Sequence, residues 1–295
     1  MDSTGTGAKY ECLLFDMDDT LYPSSLGLNL ACRKNIQDYM LHHLQIEESQ
    51  VPKMCMELYM EYGTTMAGLK ALGFQFDNDE FHAYVHGQLP YEILGPDPML
   101  KNLLLSIPQR KTIFTNADKT HVEKVLRKLG LEDCFEGVIC FETLNPPPRP
   151  IDHHDEKDIT VPSTVIQSMG QNGDGSFSVT NSETDTIYCG DPSNVNSNTL
   201  ILCKPSLEAI KAAIKIANIN PRKTIFFDDS ARNIAAGKAA GLHTVIVGSS
   251  VLVPGADHAL RSIHNIREAL PEIWEGGDDS KSVLTSTTVE AIVLA

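Results

Sequence analysis

Apolar residues gather along this chain in short runs that end abruptly in acids or amides, separated by stretches in which they recur every three or four positions. Cys-Leu-Leu-Phe at 12–15 runs directly into Asp16, Asp18 and Asp19, and Thr-Ile-Phe-Phe at 224–227 runs into Asp228 and Asp229. Lys-Thr-Ile-Phe at 111–114 ends in Thr115 and Asn116, while 137–141 and 243–247 supply two more runs of the same kind. Short apolar runs rich in β-branched and aromatic residues predict strands buried on both faces of a parallel sheet. Between them, 3.6-residue periodicity predicts helices over 28–44, 51–62, 64–72, 78–86, 99–105, 234–240 and 262–270. Two more helices carry Val122, Val125, Leu126 and Leu129, opened by Asp118 and closed by Gly130, and Leu207, Ile210, Ile214 and Ala217, with Pro205 suited to the first turn. Alternating strands and helices predict an α/β fold with a doubly wound, right-handed parallel sheet. Residues 10–23 and 95–275 form its core, and 24–94 an all-helical insertion after the first strand.

Ligands in open α/β sheets collect just beyond the carboxyl ends of the strands. Asp16 and Asp18 at such an end repel each other unless a cation or hydrogen-bond donors compensate, which predicts a divalent metal. Asp228 and Asp229 supply a second acidic cluster that can converge on the same ion, and Mg²⁺ takes one or two protein carboxylates. Thr115 sits at a strand end facing a helix N-terminus suited to anions. Lys204 offers a fixed positive charge to a phosphate oxygen or to the Asp16 carboxylate.

The order Asp16-Met-Asp18-Asp19-Thr20, Thr115, Lys204, Asp228-Asp229 resembles the four motifs of the haloacid dehalogenase superfamily of phosphohydrolases. More narrowly, Asp-Met-Asp-Asp-Thr-Leu-Tyr-Pro, Ile-Phe-Thr-Asn and Phe-Phe-Asp-Asp-Ser-Ala-Arg-Asn are similar to its pyrimidine 5'-nucleotidase-like branch of plants and fungi. The likeness spans roughly residues 10 to 275 apart from one insertion. It implies a Rossmann-like core, makes 24–94 a helical cap, and gives Asp16 the role of nucleophile and Asp18 that of general acid and base. Mg²⁺ would be held by the Asp16 carboxylate, the Asp18 carbonyl and Asp229, with Asp228 supporting them; Thr115, Asn116 and Lys204 would cradle the phosphoryl oxygens. A dehalogenase has no alkoxide to protonate, so a second Asp two positions on favours phosphate esters. The implied activity is Mg²⁺-dependent hydrolysis of a small phosphate ester, UMP or CMP foremost. Alternatives are flavin mononucleotide, a sugar phosphate or pyridoxal phosphate as substrate, or a non-catalytic binding protein on the same scaffold.

Composition narrows the partners. The 295 residues are 42% hydrophobic and carry a formal charge of −15. So acidic a chain, without a Lys/Arg cluster, disfavours nucleic-acid polymers and anionic membranes. No run reaches the roughly 18 apolar residues of a membrane span, and the N-terminal residues lack a signal-peptide core. Seven cysteines without Cys-x-x-Cys spacing read as reduced thiols, hence a cytoplasmic or nuclear protein. Residues 146–202 open on a Pro-rich stretch and are poor in apolar residues, with eight acids and one Lys between 151 and 200, which predicts a disordered acidic insertion. A flexible tail is predicted at 276–295. In the cap, Tyr22, Tyr62, Thr64, Thr65 and Met66 are candidates for meeting a substrate, whereas His42, His43, His82 and His86 read as polar-face histidines.

Overall fold

A computed structural model of the chain describes residues 8–147 and 201–275; the acidic insertion, save its outermost residues, and the tail lie outside the described residues. Six strands, β1 Cys12–Phe15, β2 Arg110–Phe114, β3 Gly137–Ile139, β4 Thr224–Asp228, β5 His243–Val247 and β6 His258–Leu260, form one parallel sheet in the order β3-β2-β1-β4-β5-β6. In the centre, Phe15 of β1 sits opposite Ile113 on one side and Phe227 on the other. All four β1 residues are buried, which is why its sequence is uninterruptedly apolar. The chain winds outward from β1 to β3, then returns through β4 to β6, so the strand order reverses beside β1. The carboxyl ends of β1, β2 and β4 therefore face a crevice at the topological switch point.

Four helices, α1 Leu28–His42, α2 Val51–Tyr62, α3 Thr65–Ala71 and α4 Asn78–Gly87, occupy the segment 24–94 that follows β1. They bury a core of their own in which Tyr39, Leu58, Met66, Leu69, Phe81 and Val85 meet. Helices α5 Pro98–Ser106, α6 Lys119–Leu129, α7 Phe141–Leu144, α8 Leu207–Ala217, α9 Ala231–Ala239 and α10 Ile266–Ala269 accompany the sheet. Local chemistry sets their starts: the side chains of Asp97, Asp118 and Ser206 accept hydrogen bonds from first-turn amides of α5, α6 and α8.

The sequence reading needs four corrections. The apolar run 137–141 stops being a strand at Ile139, because the Thr143 hydroxyl accepts from the Cys140 amide and starts α7 at Phe141. Strand β6, three residues long, is too short to show a periodicity. The helix expected over 262–270 is a 3₁₀ turn at Ile263–Asn265 followed by the four-residue α10. Pro205 precedes the Ser206 cap of α8 and is not in the first turn.

One glycine ties the cap to the core. Gly63 ends α2 at φ +89°, and a Cβ there would lie 2.4 Å from the Lys204 carbonyl oxygen and 2.7 Å from Pro205 Cδ. The Arg232 guanidinium clamps the same helix end by donating to the carbonyls of Tyr59 (3.0 Å) and Met60 (2.8 Å). Gly63→Ala is expected to cost about 1–3 kcal/mol in thermal denaturation, from left-handed strain and overpacking together. An unchanged melting temperature would show that this junction is open in solution.

Candidate active site

Every motif residue read from the sequence comes to the carboxyl edge of the sheet. Asp16 directly follows β1, its amide donating to the Phe227 carbonyl at 2.8 Å, and Thr115 directly follows β2, its amide donating to Ile139. Asp228 ends β4. Lys204 arrives from the loop before α8 and is only 2% exposed. Its ammonium donates hydrogen bonds of 2.8 Å to Asp228 Oδ2 and the Phe114 carbonyl and forms an ion pair with Asp16 Oδ1, also at 2.8 Å. All three of its protons are thus committed. Of the two roles open to Lys204, the structure displays the grip on Asp16.

Asn116 holds this lysine by its backbone. Its side-chain oxygen accepts from the Lys204 amide at 2.8 Å and its side-chain nitrogen donates to the Lys204 carbonyl at 3.0 Å. Its side chain is therefore engaged with the lysine loop. Thr115 keeps a donor free among the described residues: its hydroxyl oxygen accepts from the Ala117 amide, which leaves the hydroxyl proton available.

The acids carry more negative charge than their partners neutralise. Burial raises the Asp16 carboxyl well above its ordinary range, and the Asp228 and Asp229 charges add to that against the pull of Lys204. Burial and the charges of Asp228 and Asp19 push Asp229 up to about 7, although its opening to solvent moderates the effect. Asp19 rises to about 6, chiefly from burial, and its Oδ1 has no hydrogen-bond partner among the described residues. Asp16, Asp228 and Asp229 each present a ligand atom within 4.8 Å of the others. Asp228 is already spoken for, since Lys204, Asn233 and the Ser230 amide all donate to it. Two all-oxygen carboxylates, Asp16 and Asp229, remain, and such a donor set fits a hard divalent cation such as Mg²⁺.

Asp18 has different surroundings. Its Oδ1 accepts from the Tyr22 hydroxyl at 2.5 Å and from His121 Nε2 at 2.8 Å. Burial alone would raise this carboxyl, but the His121 imidazole and the Tyr22 hydroxyl hold it down to about 2. The His121 pKa moves the opposite way, raised by Asp18 against the effect of burial. Behind His121 stand Tyr91, in hydrogen bond with Nδ1 at 2.7 Å, and His86, stacked on its ring at 4.4 Å and bonded to Asp118. His82 stacks on His86 and packs edge-on against Phe141 at 4.5 Å.

These histidines correct the sequence reading. His82 is 7% exposed and His86 also lies inside, between α4 and α6. His121 was not singled out at all. The missed signal is position: His82 is three residues before Val85, and His121 four before Val125, so both share the buried faces of their helices.

A cavity of 280 Å³ lies over the acids. Its floor includes Asp16, Asp18, Thr115, Lys204 and Asp229; its roof includes Ile36, Met66, Phe81 and His82. Thr64 and Thr65 line it too, and Tyr22 lines an adjoining cavity that shares Asp18. Tyr62 is among the lining residues of neither.

Comparison with known proteins finds relatives for the fold and for part of the chain. A family model described as haloacid dehalogenase-like hydrolase matches residues 180–247. Phosphate metabolism protein 8 of Saccharomyces cerevisiae is 26% identical over 132 residues, 42% of this chain and 41% of the relative. The match thus spans less than half of that protein's length. CbbY from Rhodobacter sphaeroides, solved in complex with phosphate, superposes with a TM-score of 0.51 at 14% identity, covering 90% of this chain and 99% of its own. The HAD-hydrolase YfnB of Bacillus subtilis, bound to magnesium, has a TM-score of 0.47 at 17% identity, over 88% and 97%. The fold is haloacid dehalogenase-like, and the stretch that carries Lys204, Asp228 and Asp229 matches that family's model.

Proposed function

We propose that the chain is a Mg²⁺-dependent phosphomonoesterase for small esters, with pyrimidine nucleoside monophosphates such as UMP and CMP as its preferred class. The observation that carries this reading is the convergence of Asp16, Asp18, Thr115, Lys204 and Asp229 on the floor of one cavity. Asp16, fixed by Lys204, attacks phosphorus and forms an aspartyl-phosphate as the bond to the ester oxygen breaks. Asp18, an ionised carboxylate in the free site, takes up a proton carried in by the ester, whose phosphate has a second pKa of about 6, and gives it to the departing alkoxide; it then takes one from the water that attacks the aspartyl-phosphate, which restores Asp16 and releases inorganic phosphate. The Thr115 hydroxyl donates to a phosphoryl oxygen. Mg²⁺, held by Asp16 and Asp229, would neutralise charge building on the transferring phosphoryl group.

The roof bears on the leaving group. Lys204 is the only Lys or Arg among the described residues lining this cavity, and it is already engaged. A leaving group bearing a second phosphate therefore has no unengaged cation to meet there, which favours an uncharged body with apolar faces. His82, held neutral because burial and His86 push its pKa down to about 4, has no partner at Nδ1 among the described residues. It offers a hydrogen bond to an uncharged polar edge, as a sugar or base presents. The volume of 280 Å³ lies just below the roughly 300–1,000 Å³ range of ligand pockets, which suits a small ester over flavin mononucleotide.

Phosphate release from UMP, CMP, AMP, GMP, flavin mononucleotide, pyridoxal phosphate and sugar phosphates tests the assignment. The expected result is preference for UMP and CMP and loss of turnover on chelation. Preference for another ester would move the substrate and keep the chemistry; release from none would overturn the phosphatase reading. Protons compete with the cation at Asp229, so the Mg²⁺ concentration for half-maximal activity should rise as pH falls below about 7.

A further inference from the structure

Asp18 is gripped on one oxygen alone. Tyr22 and His121 both donate to Oδ1, and no donor among the described residues meets Oδ2. Asp18 borders both cavities, and its side chain is 37% exposed where that of His121 is 3%. A carboxylate free to rotate would exchange its two oxygens. Here two donors converging on Oδ1 fix the plane of the group and leave Oδ2 as the oxygen open to a reacting atom.

The orientation of His121 is itself set from behind. The Tyr91 hydroxyl donates to the His86 carbonyl at 3.0 Å, which leaves its oxygen to accept from His121 Nδ1 at 2.7 Å. His86, anchored on Asp118, stacks on the ring and closes its face. Asp118 is in turn fixed by accepting from the Thr120 and His121 amides at the start of α6. Residues of three elements, the 3₁₀ turn at Tyr91–Ile93, α4 and α6, thus leave the ring one position.

We propose that His121, braced by Tyr91 and His86, is a positioning residue that clamps Oδ1 of Asp18 so that Oδ2 alone passes the proton to the leaving oxygen. The inference rests on the phosphatase reading and deepens it. In the step concerned, the bond from phosphorus to the ester oxygen breaks, its electron pair goes to that oxygen, and the proton that Oδ2 took up from the incoming ester moves to it. His121 touches no reacting atom. A misaimed Oδ2 therefore harms esters whose leaving group needs a proton and spares those whose leaving group departs as a stable anion.

That asymmetry is the test. The quantity is kcat/KM, which covers only the steps up to leaving-group departure, measured for UMP and for 4-nitrophenyl phosphate. If the wild type prefers another alkyl phosphate of the panel, that ester replaces UMP. His121→Leu keeps bulk without donors, His121→Gln keeps a donor near the position of Nε2, and Tyr91→Phe removes only the brace. His121→Leu is expected to lose about a hundredfold on the alkyl ester and less than about fivefold on 4-nitrophenyl phosphate. His121→Gln should recover most of the loss, and Tyr91→Phe should show a milder loss with the same asymmetry. Equal losses on both esters, or a Gln variant no better than Leu, would overturn the proposal and leave His121 a packing residue. If His121→Leu fails to fold, the ratio of the two losses in Tyr91→Phe decides by the same criterion. Wild type inactive on every ester would instead sink the phosphatase reading, and this inference with it.

Discussion

Asp16→Asn is expected to abolish phosphate release from every ester, by a factor on the order of 10⁴ or more, while leaving the fold intact. The amide occupies the same volume, and its oxygen still accepts from Lys204, so the 2.8 Å contact to the ammonium has a successor. What disappears is the nucleophile. The variant should also be no less stable than wild type in the absence of metal, because the carboxylate it removes is one the fold disfavours. Burial and the neighbouring acids raise the Asp16 pKa. A group raised in the folded state contributes stability below its unfolded pKa, near 4, and loses it as pH rises through the folded value. Asp19, at about 6, and Asp229, at about 7, act in the same direction. The metal-free wild type should therefore show a melting temperature that falls between pH 4 and pH 8, and Mg²⁺ should restore it at the upper end. An Asp16→Asn protein that still turned over substrate, or one that melted well below wild type, would remove Asp16 from the role of nucleophile held in place by Lys204.

The fold and the floor of the site were legible because both are written in local pattern. An apolar run that ends in acids can be read at β1 and β4 without knowing what packs on it, and the doubly wound order follows from alternation. The 3.6-residue period of 28–44, 51–62 and 78–86 likewise announces α1, α2 and α4. What escaped is what only tertiary contact decides. His82 and His86 have the spacing of a polar stripe, yet α6 and Phe141 pack over them, and the acid that His86 bonds lies 32 residues away. His121 reaches Asp18 across 103 residues. Cys140 continues an apolar run but caps a helix, because Thr143 lies within reach of its amide. Lys204 was placed at the site, but that its three protons are shared among two acids and a carbonyl is a property of the folded cavity alone.

Lys204→Met is expected to be the most destabilising of these changes, as well as inactivating. The lysine is 2% exposed, and its ammonium lies between the Phe114 and Phe226 rings, 5.1 and 5.5 Å from their centroids, so methionine can fill its stem's space. Methionine cannot supply the charge. Asp16 and Asp228 would face each other without a counter-ion, and the Phe114 carbonyl would lose its donor. Removing one partner of a buried ion pair costs about 3–5 kcal/mol, because the remaining charge is left uncompensated. The fold has one escape: protonating a carboxylate removes the repulsion. The penalty should therefore be larger near pH 8 and shrink on acidification towards pH 5, as Asp16, whose carboxyl burial already raises, takes up a proton. Arginine should not rescue it, since its planar fork cannot reproduce three donors converging from one point on two carboxylates and a carbonyl. Urea denaturation of wild type, Lys204→Met and Lys204→Arg at the two pH values measures this. A loss below about 1 kcal/mol at pH 8, or one independent of pH, would mean that the two acids do not depend on Lys204 for their charge balance.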